Sequence, residues 1–262
     1  GGALDDAFAR FDAHVHVGAW RTPDFAGHAS GLDDVRRVLV EAGITGALVM
    51  PTDDGDNAGL LAALEASGDA GDGPELLMAA WIDPHRPDET MAFLEGAGDR
   101  IRALKCHPSF ARLPLTAPAY RPFLSHARDH DLPVVTHCGR WREVAGWEIA
   151  LEAAEAFPTV PFVLSHMGGD GPLLVAGAAA AIRERGLFHA YLGTESIREP
   201  WVVGRALEMV GPERLVFGSD HNLNHPATFL AVIDALHLNP FARARILGGN
   251  ARNLFAPSPP TP

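Results

Sequence analysis

Short apolar runs recur along this chain at nearly even spacing. Each is followed by a polar or Gly/Pro-rich loop and then by an Ala- and Leu-rich stretch of helical pattern. The runs are RFDAHVHV (10–17), GALVMP (46–51), LLMAAWIDP (76–84), IRALKCHP (101–108), PVVTHCG (133–139), PFVLSHMGG (161–169), LFHAYLGTE (187–195) and RLVFGSD (214–220). Near-continuous apolar runs of this length suit strands buried on both faces, as in a parallel sheet. Between them the pattern predicts helices over 32–42, 57–66, 87–96, 119–130, 143–157, 172–185, 199–210 and 227–236. The first has Asp33 and Asp34 in its opening turn and Gly43 just past its end, both boundary signals.

Eight strand–helix units point to an α/β fold of the (β/α)8 TIM-barrel type rather than to an open doubly wound sheet, which usually has fewer strands. No linker or low-complexity insert divides the chain, so a single domain over 1–262 is expected, with its core at about 10–256. FARARILGGNARNLF reads as one or two short helices packed across the barrel exterior, and the Pro-rich stretch 257–262 as a disordered tail.

Composition narrows the function classes. Hydrophobic residues make up 47% and charged residues 21% of the 262, enough for a sizeable core and against global disorder. A net charge of −12 argues against nucleic acid or an anionic membrane surface as partner and leaves a small-molecule substrate. No apolar run reaches the length of a membrane span. Cys106 and Cys138 are too few for a disulfide framework, and GGALDDAFAR lacks the regions of a signal peptide, so a cytoplasmic protein is expected. Barrels of this type often pair, and a homodimer is one expectation, although no stretch marks an interface.

The polar positions inside the apolar runs change the picture most. In FDAHVHVG, Asp12, His14 and His16 alternate with small apolar residues, and on a regular strand they share one face. Three polar side chains on a face meant for a core need a partner. The segment is either an edge strand with a wet face or part of a metal site. Barrel active sites form at strand C-termini, and there the chain carries His14, His16, Lys105, His107, His137, His166 and Asp220. Imidazole and carboxylate suit a divalent ion, Zn²⁺ first among the candidates, which lowers the pKa of a water and polarises a substrate oxygen. A neighbouring carboxylate then accepts the water's proton, and an imidazole steadies charge or protonates the leaving group.

Parity turns Cys106 and Cys138 toward the helical layer, where each reads as a small buried hydrophobe. The loops after the first and fifth runs combine Trp20 and Arg21 with Arg140, Trp141 and Arg142. A guanidinium fork and a flat indole wall fit a small aromatic or carboxylated substrate. Asn222 and His225, beyond Asp220, are further pocket candidates.

Taken in order, DAHVH, LKCHP, PVVTHCG, LSHMGG, RLVFGSDHN and ILGGNARNLF resemble the amidohydrolase superfamily, from Phe11 to Phe255. The likeness is to the amidohydrolase-related branch, which includes metal-dependent hydrolases and aminocarboxymuconate-semialdehyde-type decarboxylases. The resemblance implies that His14, His16, His137 and Asp220 bind the metal, that Asp220 also handles the proton, and that His166 contacts the activated water or the substrate. It makes Asp12 a support for a ligand or a purely structural group. Lys105 is carboxylated in binuclear relatives; in this branch one metal is usual, so an unmodified Lys near the substrate is favoured, with His107 facing the same cavity. One departure is YLGTES, where many relatives carry a YLDTS-like segment: Gly193 stands in place of an acid, and whether Glu195 compensates is open. The expected activity is metal-dependent hydrolysis of a small amide, lactone or ester. The alternatives are non-oxidative decarboxylation at the same site and, last, a non-catalytic binding protein.

Overall fold

The computed structural model describes residues 9–68 and 71–257, so the N-terminal segment and most of the expected tail lie outside the described residues. One nine-stranded sheet runs in the order β2-β1-β3-β4-β5-β6-β7-β8-β9. Its barrel strands are β1 (Arg10–Ala19), β3 (Ile44–Pro51), β4 (Glu75–Trp81), β5 (Ile101–Cys106), β6 (Val134–Thr136), β7 (Phe162–Leu164), β8 (Ala190–Gly193) and β9 (Leu215–Val216). These pair in parallel, and only β2 (Ala29–Ser30) is antiparallel, folded back on the end of β1. The barrel closes from β9 to β1: Ala13 N–H donates to Phe217 O, Asp220 N–H donates to His14 O, and Val15 bridges His221. The predicted (β/α)8 barrel is the observed fold, with β2 the element the pattern did not signal.

The helices follow from local chemistry. Those between the barrel strands are α1 (Leu32–Glu41), α2 (Asn57–Ser67), α3 (Pro87–Ala97), the short α4 (Pro108–Ala111), α5 (Arg121–Asp129), α6 (Arg142–Ala145), α7 (Trp147–Ala156), α8 (Pro172–Arg185) and α9 (Pro200–Val210). After β9 come α10 (Pro226–Asp234), α11 (Pro240–Ala244), a π-turn over Arg245–Gly249 and α12 (Asn250–Phe255). Proline opens α3, α8, α9, α10 and α11, where a missing N–H costs nothing and the fixed φ is already helical. Asp56 caps α2 by accepting from Gly59 N–H at 2.9 Å. Gly186 ends α8 at φ 64°, a left-handed conformation that suits a residue without Cβ. The expected single helix over 143–157 is instead two, because Gly146 at ψ 149° is extended and separates α6 from α7.

Two cores result. Val15, Val49, Leu104, Cys106, Val134 and Leu164 face the helices. Phe11, Ala13, Leu48, Ala103, Val135, Val163 and Val216 fill the barrel interior together with Ala251 and Phe255 of α12. The expected exterior packing holds for the first part of the C-terminal segment, where Ile246 and Leu247 join the outer core, but α12 turns inward and plugs the N-terminal mouth of the barrel. Phe255 stacks on Phe11 with ring centroids 6.4 Å apart. Its Ala variant should lose about 3–5 kcal/mol of stability in denaturant unfolding; a loss under about 1 kcal/mol would refute the plug.

Candidate active site

The strand C-termini open into a cavity of about 560 Å³ whose lining includes His14, His16, Lys105, His107, His137, His166 and Asp220. The first strand reaches it by an irregularity. Asp12 pairs with Ala47 and Val15 with Val49, so three steps on β1 oppose two on β3. This bulge reverses parity: Phe11 and Ala13 face the lumen below it, His14 and His16 above it. Asp12 therefore does not share the face of His14 and His16, which corrects the simple alternation read from the sequence. It is fully buried beside the closing seam, and its Oδ1 accepts from Ser219 N–H at 2.9 Å and His14 N–H at 3.1 Å. Burial pushes its carboxyl up to about 7 against the pull of those hydrogen bonds.

Among the described residues, His14, His16 and Asp220 bring one potential ligand atom each to a common point. His14 Nε2 lies 3.1 Å from His16 Nε2, and Asp220 Oδ1 lies 3.3 Å and 3.2 Å from the two nitrogens. His16 Nδ1 stands 2.8 Å from Pro51 O, which can only accept, so this nitrogen carries the proton and Nε2 offers a lone pair. His14 Nδ1 stands 3.2 Å from Glu195 Oε1, a close contact off the line of a good hydrogen bond, and Glu195 likewise favours a proton on that nitrogen. Three lone pairs so close repel one another unless a cation lies among them. Ligands about 2.0–2.2 Å from a tetrahedral ion stand about 3.3 Å apart, so these residues fit a divalent metal.

Electrostatics prepare the same role. Burial, reinforced by Lys105, drives His14 well below the usual imidazole range, which keeps it neutral. Burial alone would raise Asp220; positive charge at the His14–His16 pair, the place a cation would take, lowers its carboxyl to about 2. Lys105 is buried with Nζ 3.4 Å from His14 Nε2; burial lowers its pKa, opposed by Asp220 and Glu195.

The remaining expected site residues divide. His137 is half-buried, stacked on His107 at 4.0 Å and edge-on to His166 at 5.1 Å, and its Nε2 is shielded without a partner. It stands outside the tight triad of ligand atoms. Burial also lowers His107 and His137 well below the usual imidazole range. His107 Nδ1 accepts from Phe110 N–H, which orients its ring between Phe110 and His137. His166 does not extend β7 as expected but sits in a left-handed turn at φ 56°, and its N–H donates to Glu195 Oε1 at 3.0 Å.

Trp20 forms a buried wall, edge-on to His16 at 4.7 Å, and its indole N–H donates to Asn222 Oδ1 at 2.6 Å. Asn222 thus supports the wall, while His225 caps α10 through Ala227 N–H. Arg140 lines the mouth and pairs with Asp24 at 3.1 Å. Arg21 and Arg142, both expected at the substrate, do not line the cavity. Arg21 is exposed, its N–H held by Asp53, and Arg142 turns to Glu148 at 2.8 Å. Both thiols pack in the outer core, and burial pushes Cys106 up to about 12. Glu195 is the central residue that the sequence did not assign. Its signal was the missing acid at Gly193, and only the fold shows where its carboxylate goes.

A search of curated proteins finds no match to the sequence. Among solved structures, 5-carboxyvanillate decarboxylase from Sphingomonas paucimobilis superposes with a TM-score of 0.73 at 14% identity, covering 95% of this chain and 99% of that one. A putative 2-pyrone-4,6-dicarboxylic acid hydrolase from Pseudomonas putida gives 0.69 at 17% identity, with 95% and 97% covered. A dihydroxybenzoic acid decarboxylase from a Polaromonas species, with bound manganese and the inhibitor 2-nitroresorcinol, gives 0.70 at 14% identity, with 94% and 96% covered. At such identities these likenesses establish the barrel. The amidohydrolase family model matches residues 11–256, nearly the whole chain, and the protein belongs to the amidohydrolase family, as one of its enzymes.

Proposed function

We propose that this enzyme hydrolyses a small amide, lactone or ester with an aromatic or carboxylate group, using one divalent ion, Zn²⁺ the first candidate. The observation that carries the reading is the meeting of three lone pairs from His14, His16 and Asp220 at the floor of an aromatic-walled cavity. Bound there, a divalent ion supplies a water of lowered pKa and polarises the substrate oxygen. Asp220, held as a carboxylate, accepts the proton of the attacking water and returns it to the leaving group. His166 lines the same cavity, its ring 6.1 Å from that of His14, and stabilises the developing charge. His137, with its free Nε2, is proposed as a further ligand. Trp20, Lys105, His107 and Arg140 hold the substrate: the indole and imidazole rings as flat walls, the two cations for a carboxylate.

Decarboxylation is the second reading, favoured by the named activities of two of the three superposed structures and by Arg140 at the mouth. A panel of carboxylated aromatics and lactones, assayed for both acid production and CO₂ release with and without chelator, separates the two. Chelator-sensitive acid release without CO₂ is expected. CO₂ release selects the second reading, and activity undiminished by chelator and metal removal would sink both.

A further inference from the structure

Glu195 reaches the site by a route that two glycines open. Gly193 ends β8 with the inward parity of Tyr191, and a Cβ built on it would meet Glu195 Oε1 at 2.6 Å and Oε2 at 2.7 Å. Gly218, just beyond β9, has the inward parity of Val216, and a Cβ there would meet Glu195 Oε2 at 2.5 Å and His14 Cβ at 3.0 Å. The carboxylate thus folds back from the loop into lumen space that side chains on two adjacent strands would otherwise fill. It is only 2% exposed, 3.2 Å from His14 Nδ1, and it accepts from His166 N–H. His166 Nδ1 in turn faces the Glu195 carbonyl at 3.4 Å.

We propose that Glu195 is the positioning residue for His14, fixing its ring so that Nε2 presents its lone pair to the cation, and that Gly193 serves to make room for it. The proposal rests on reading His14, His16 and Asp220 as a cation site. A carboxylate behind a ligating imidazole fixes its tautomer and raises its basicity, and losing such a partner typically costs about 10–100-fold in metal affinity. The same spot is reachable from Gly193 itself, since a carboxylate oxygen stands about 2.4 Å from the Cβ of an aspartate, close to the separations found.

The test is competitive titration of Zn²⁺ and Mn²⁺ into the chelator-stripped full chain, with circular dichroism and Tm recorded for each variant. Glu195→Gln keeps an acceptor for His166 N–H and should weaken binding about tenfold. Gly193→Ala leaves Glu195 in the chain but displaces the end of a flexible side chain, so it should weaken binding similarly while the metal-free Tm stays near that of the parent. The double variant Gly193→Asp with Glu195→Ser should bind within about threefold of the parent, far inside the loss expected for the single variants. Parent-like affinity in Glu195→Gln and Gly193→Ala, or failure of the folded double variant to recover, overturns the proposal alone. A parent chain that binds neither ion overturns the site reading and this proposal with it.

Discussion

Asp220→Asn should cost about 10²–10⁴-fold in turnover on a confirmed substrate while the barrel remains folded. The side chain has two duties that an amide cannot perform. Its Oδ1 carries the negative charge at 3.3 Å and 3.2 Å from the two imidazoles, and its carboxylate is the group available to take a proton. The fold is insulated because the closing hydrogen bond to His14 O comes from the backbone N–H. Residue 220 also sits at φ 61°, a left-handed conformation that Asn tolerates and Ala does not. Steady-state kinetics at saturating metal, with circular dichroism for the fold, decide the matter. Full activity in the Asn variant would remove Asp220 from the proton path.

His16→Ala should abolish stoichiometric metal binding. Elemental analysis should find about one divalent ion per parent chain, as a single cation site requires, and almost none in the variant. His16 Nδ1 is fixed by Pro51 O and its ring stands edge-on to Trp20, so Nε2 is held at the converging point and alanine leaves that ligand position empty. The linked readout is thermal. An ion at a thousandfold its Kd stabilises the folded chain by about 4 kcal/mol, so added metal should raise Tm in the parent and leave it unchanged in the variant. A variant that retains one ion per chain would show that the converging triad is not the site.

The effects differ in reach because the residues differ in what holds them. In the proposed site Asp220 and His16 would hold the ion directly, whereas Glu195 would act through His14, so its loss should weaken the site without dismantling it. Asp12 stands further back. It joins Ser219 N–H to His14 N–H across the seam where the barrel closes, so it fixes the strand that carries the ligands. The signals for these roles in the sequence run in the same order. His and Asp at the ends of apolar runs are conspicuous, since a polar group there needs a reason. An acid three residues past the end of an apolar core, as in YLGTES, is an ordinary loop residue until its partner is known.

The sequence by itself determined the eight strand–helix units, because strands buried on both faces must be apolar throughout and the helices between them carry proline starts and glycine stops. It also determined which residue types gather at the strand C-termini, and hence the family and the metal chemistry. The tertiary structure alone decided the rest. A bulge in β1 turned Asp12 away from His14 and His16, because one extra residue reverses every side chain beyond it. Long-range packing put Phe255 into the lumen mouth, where Phe11 left an apolar face to cover. Arg142 found Glu148 on its own side of the loop and left the cavity to Arg140. Glu195 entered the site because two glycines on neighbouring strands left a space of its size, a complementarity set by distances across the barrel rather than along the chain.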